Sequence, residues 1–173
     1  MAATYDLIQS VELTGTGSST TFTGIPSTYT DLVISGQLTI NTTPSDLYLR
    51  FNNDTGANYY GQGAGSNQVP QFRAAAVGPT GAVWLIGILN SQTQSTNPNF
   101  FEVHINEYAN TGYTKNMVQN WSYVADTTTR ANVGFGAFQW RNTSAINRVD
   151  ISSTSGGAIT GRISLYGVLA GNA

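Results

Sequence analysis

Cysteine is absent from all 173 residues, which excludes disulfides, thiol nucleophiles and cysteine-ligated zinc. Charge is scarce as well: only 9% of residues are Asp, Glu, Lys or Arg, against about 25% in typical soluble domains. Lys115 is the only lysine, and the net charge is −2. A chain so poor in cations has no basic stripe for a nucleic acid backbone. A single histidine, His104, leaves a multi-histidine metal centre without ligands. No run approaches the roughly 20 apolar residues of a membrane-spanning helix. The opening Met1-Ala2-Ala3-Thr4-Tyr5-Asp6 has neither a basic start nor an apolar core, so no signal peptide is expected.

Hydrophobic residues make up 40% of the chain, so the low charge does not reflect disorder. The polar surface falls instead to Thr, Ser, Asn and Gln. Such a coat supplies little mutual repulsion and matches the charge depletion of interface cores. It suits a protein embedded in an assembly or displayed outside a cell. Made in a host cytoplasm without an export signal and released by lysis, it is expected in a virion.

The prevailing period is two, the period of strands. The clearest stretch is Tyr29 to Asn53. Leu32, Ile34, Leu38 and Ile40 share one face of its first run, and Leu47, Leu49 and Phe51 share one face of its second. The break Asn41-Thr42-Thr43-Pro44-Ser45 predicts a turn, and the pair reads as a long antiparallel hairpin. Tyr5 to Leu13 places Tyr5, Leu7, Val11 and Leu13 on one face. Gly61 to Gly81 loses periodicity and reads as an irregular, contact-forming loop. Ala82 to Asn90 is apolar on both faces, as in a central strand or one facing a neighbouring subunit. In Ala131 to Arg141, glycines alternate with aromatics, which predicts close approach of another layer. No helical period persists. About nine strands at hairpin spacing predict a single all-β domain over residues 1–173, an antiparallel β-sandwich of jelly-roll type.

Three phrases carry a family resemblance: Phe22 to Ile34 (FTGIPSTYTDLVI), Leu47 to Tyr59 (LYLRFNNDTGANY) and Gly161 to Val168 (GRISLYGV). They resemble a group of tailed-phage structural proteins found in phages of cyanobacteria and other aquatic bacteria. The resemblance implies a virion structural protein. Such proteins sit on heads as decoration or cement proteins, or on tails as fibre or receptor-binding domains. A compact single domain without a shaft fits decoration better. The implied partners are further copies of the chain, with a trimer favoured for a shell axis, and the major capsid protein or other virion proteins. The expected contacts are Trp84, Ile86, Ile88, Pro70 and Phe72. The alternative is a tail-fibre domain holding a host-surface glycan through Tyr59, Tyr60 and Tyr113.

Reactive chemistry finds little support. His104 and Glu102 share the polar face of one strand, yet no G-x-S-x-G nucleophile motif accompanies them. The nine acids are scattered, which does not suit a paired-carboxylate hydrolase. Asn52-Asn53-Asp54-Thr55-Gly56 lacks the calcium-loop spacing and reads as an Asx-stabilised turn. Gly61-Gln62-Gly63-Ala64-Gly65 lacks the Lys-Ser/Thr of a phosphate loop. The expectation is no catalytic residue, metal or cofactor, with Trp84, Trp121 and Trp140 filling the core or a subunit contact.

Overall fold

The computed structural model describes residues 4–41, 47–66, 72–85, 98–124, 131–154 and 156–169. Its regular elements are all strands: β1 (Tyr5–Thr14), β2 (Ser19–Thr23), β3 (Asp31–Ile40), β4 (Leu47–Phe51), β5 (Tyr59–Ser66), β6 (Phe72–Thr80), β7 (Val83–Leu85), β8 (Asn99–Ile105), β9 (Lys115–Val124), β10 (Ala131–Trp140), β11 (Arg148–Ser153) and β12 (Ile159–Val168). They form an eight-stranded sheet, β1-β12-β3-β8-β9-β10-β5-β6, and a four-stranded sheet, β2-β11-β4-β7. Every pairing is antiparallel.

The pairing is nested. β1 pairs with β12, β2 with β11, β3 with β8 and β4 with β7. Rolling up such a ribbon gives the two interleaved sheets of a jelly roll. The remaining hairpins, β5–β6 and β9–β10, lie between β4 and β7 and between β8 and β11 in the chain. Both join the larger sheet and extend it beyond β8. The expected sandwich is therefore present, with one sheet twice as wide as the other.

One cluster forms the core. Leu32, Ile34 and Leu38 of β3, Phe101, Val103 and Ile105 of β8, and Ile163 and Leu165 of β12 join Leu47, Leu49 and Phe51 of β4 and Val149 and Ile151 of β11. Each fully buried side chain of this kind contributes roughly 1.5–3 kcal/mol.

Four local expectations change. The β3–β4 hairpin does not form, because the two runs belong to different sheets. Alternation says which face of a strand is buried but not which strand lies beside it. Here the chain crosses between sheets, and both apolar faces enter the same core. The Gly61–Gly81 stretch is largely the β5–β6 hairpin. Its glycines erase the alternation for a packing reason: a Cβ on Gly61 would lie 2.0 Å from Phe138, and one on Gly65 would lie 2.6 Å from Trp121. At Ala131–Arg141 the close approach comes from within the sheet and not from another layer: Trp121 of β9 crowds Gly134, and Phe138 of β10 itself crowds Gly136. Of the strand expected at Ala82–Asn90, the described part is β7, which lies at an edge of the smaller sheet and not at its centre, while residues 86–90 lie outside the described residues. Finally, a bulge between Leu7 and Gln9 shifts the phase of β1. Tyr5 and Leu7 point outward, while Val11 and Leu13 pack on the core.

Candidate functional site

The larger sheet turns one face to the core and the other outward. Antiparallel register sets the outward residues of β8, β9, β10 and β5 in rows across the strands. The first row is Phe100, Ser122 and Val133. The second is Glu102, Asn120, Phe135 and Ala64. The third is His104, Val118, Ala137 and Gln62. In the fourth, Asn116, Gln139 and Tyr60 lie side by side, and Asn106 joins them where its N–H donates to the Asn116 carbonyl at 3.1 Å.

The first three rows carry an apolar patch. Phe100 is 41% exposed, Val118 50%, Val133 47% and Phe135 55%. Val118 and Phe135 are diagonal neighbours, close enough for side chains to share one surface. Amides rim the patch, and among the described residues Glu102 is its charged neighbour. A second outward apolar group lies across the same sheet at the β1 edge: Tyr5 and Leu7, with the Tyr5 ring edge-on to Tyr166 at 6.4 Å. The strip between holds Ser35, Gln37, Ser164 and Arg162.

Of the residues expected at contacts, two lie within the described strands. Trp84 lies on β7 opposite Tyr48, and Phe72 lies on β6 opposite Ser66, at the outer edges of the two sheets. Pro70, Ile86 and Ile88 lie outside the described residues. The glycan trio is split. Tyr59 is fully buried, stacked on Trp140 at 6.3 Å, and its hydroxyl accepts from the Phe51 N–H at 3.0 Å. Burial pushes its hydroxyl pKa upward. It cannot meet a glycan, which corrects that expectation. Its neighbour Tyr60 faces outward by the alternation of the strand, with the Arg141 guanidinium 3.5 Å above its ring. Tyr113 is exposed in the β8–β9 connection, apart from that row. Trp121 and Trp140 are both in the core.

The candidate acid–base groups are poorly arranged for nucleophilic catalysis. His104 Nε2 lies 3.4 Å from Glu102 Oε1, both about one-third exposed. Register places Ser35 opposite Glu102, while His104 faces Val33 and Val118. The carboxylate therefore stands between hydroxyl and imidazole, whereas proton abstraction needs the imidazole in the middle. Asp54 accepts from Trp140 Nε1 at 2.7 Å, Asn58 Nδ2 at 2.9 Å and the Gly56 N–H at 2.8 Å. Burial raises its pKa, but these bonds and one from Asn142 outweigh it and hold the carboxyl below its ordinary value. Among the described residues, no three His, Asp or Glu side chains converge as a metal site.

The outward patch escaped sequence reasoning for an identifiable reason. Val133 and Phe135 alternate with Gly134 and Gly136 on a strand whose inward face also carries Phe138 and Trp140. Both faces look apolar, and only the register shows which one is uncovered. The signal available was the glycines, which mark the crowded inner side.

Comparison with known proteins adds little. No family model matches the chain, and no curated protein matches it. Among solved structures, a crystal structure of Scytalido-glutamic peptidase with a peptide-based transition state analogue aligns over 81% of this chain and 65% of its own. The identity is 7% and the TM-score 0.24, a likeness that supports no statement about fold or activity.

Proposed function

We propose that this chain is a structural protein of a tailed-phage virion, a decoration or cement protein that associates with its own copies and with the assembled shell. The observation that carries the reading is the outward apolar patch of Phe100, Val118, Val133 and Phe135, rimmed by uncharged amides. Contiguous exposed apolar surface of this kind marks interaction sites in soluble proteins. The resemblance of the strand-and-turn phrases to phage structural proteins supplies the setting.

The second patch at Tyr5, Leu7 and Tyr166 refines the proposal. A closed ring of three needs a heterologous interface, in which one surface meets a different surface on the next copy. Two apolar groups on one sheet face, separated by a polar strip, supply such a pair. The mechanism is passive: a protein that binds only the assembled shell stabilises it by mass action. No reactive group is required.

The test is binding of fluorescently labelled protein to purified phage heads and tails. Saturable binding to heads, weakened at least tenfold by Phe135→Asp, supports the proposal. Binding confined to tails points instead to the fibre alternative.

A further inference from the structure

Beside the apolar patch, the fourth row opens into a shallow trough of about 590 Å³. Its lining includes Tyr60, Gln62, Asn106, Asn116, Val118 and Gln139. We infer that this trough is a binding site for a neutral saccharide chain, adjoining the contact patch at Val118 and independent of the virion proposal.

The argument starts from the donor set. A sugar hydroxyl both donates and accepts, and a primary amide is the neutral side chain that can do both at adjacent atoms. Four amides line the trough on adjacent strands, at the 4.7–4.9 Å spacing typical of sheets. They form a ladder running across the strands, which suits an extended chain of repeating polar groups. Two of the amides are held in place from the side. Gln139 Nε2 donates to Thr114 Oγ1 at 3.0 Å, and Gln139 Oε1 accepts from Arg141 Nε at 3.2 Å. Gln139 Nε2 also lies 3.5 Å from Asn116 Oδ1. Among the described residues, the side chains of Asn106 and Gln62 have no hydrogen-bond partner within the protein. Their donors and acceptors are available to a ligand.

The floor completes the match. Val118 and Ala137 offer apolar surface to the C–H faces of a sugar ring, and Tyr60 stands at one end. Arg141 holds the Tyr60 ring through its guanidinium, which restricts the ring before any ligand arrives. The lining contains no Asp, Glu, Lys or Arg. The cation at its edge, Arg141, is already engaged by the Tyr60 ring and Gln139 Oε1, so a neutral chain is favoured over a charged one.

The experiment is an array of bacterial surface polysaccharides, neutral and acidic, probed with the labelled full-length protein. Any neutral glycan bound is then titrated against two variants. Binding to a neutral glycan is expected, weakened about tenfold or more by Asn116→Ala with Gln139→Ala. Phe135→Asp, which alters the contact patch, should leave it within about twofold. Thermal melts establish that the variants are folded. The proposal is overturned by three results: no neutral glycan retained, binding to acidic glycans alone, or affinity unchanged in the double amide variant.

Discussion

Trp140 donates its indole N–H to Asp54 across 2.7 Å, joining the end of β10 to the turn that follows β4. The same carboxylate organises that turn through Asn58 and the Gly56 N–H. Asn52 and Asn53 take left-handed backbone angles beside it, with φ of 51° and 58°. The Asn52 side chain completes the junction: its Oδ1 accepts from the Asn147 and Arg148 N–H groups, and its Nδ2 donates to the Ala145 carbonyl. One short polar turn thus connects the extension of the larger sheet to the smaller sheet.

That arrangement predicts a pH signature. Asp54 has a folded-state pKa below its ordinary 3.8, so its contribution is complete above 3.8 and is lost as pH falls through the lower folded-state value. Asp54→Asn keeps the shape but weakens acceptance from its four donors. At pH 7 it should lower the melting temperature by roughly 3–6 °C. The gap from the parent protein should narrow below pH 3.8 as Asp54 itself protonates. Melting curves from pH 7 to pH 2.5 check this, and a gap independent of pH would contradict it.

Lys115 predicts a larger loss. Its ammonium is buried and donates to the carbonyls of Asn110, Tyr113 and Thr143, so one cation pins the β8–β9 connection to the β10–β11 connection. Lys115→Met fills the same space but leaves three carbonyls without that donor. Urea unfolding should show a loss of about 2–4 kcal/mol with the slope unchanged. A change within about 0.5 kcal/mol would mean that the clasp is ornamental.

Gly134 predicts a steric failure. A Cβ there would stand 2.0 Å from Trp121 Cζ2, and the indole also lies over Gly65 on β5. Gly134→Ala should destabilise by about 1–3 kcal/mol, because the ring has no room to move aside. Gly156 is the control for a glycine in the open: a Cβ there meets nothing, and its φ of +73° is the only objection to a side chain. Gly156→Asn should therefore be mild, since asparagine accepts the left-handed region. Equal losses at the two sites, measured by the same unfolding curves, would contradict the packing account.

The fold class was legible because alternation survives wherever a strand has one wet face. β3, β4, β8 and β11 bury the residues their pattern assigns to the core. Neighbour choice was not legible, since it depends on contacts far apart in the chain, and so two runs that read as one hairpin belong to different sheets. β5 was hidden by glycines that yield their side-chain space to Phe138 and Trp121. Tyr59 and Tyr60 are adjacent in sequence and opposite in fate, one in the core and one facing outward, and nothing in the doublet itself says which. The contact patch was obscured for the same reason: β10 is apolar on both sides, and only its position in the sheet exposes Phe135.

The central claim is that the outward face of the larger sheet is an adhesive surface. Sedimentation equilibrium of the parent protein and of Phe135→Asp with Val118→Lys, over a hundredfold range of concentration, tests it most directly. The account predicts a discrete multiple of the 173-residue chain for the parent, a trimer first, and a folded monomer for the variant. A monomeric parent at every concentration, or a variant that assembles as the parent does, would contradict it.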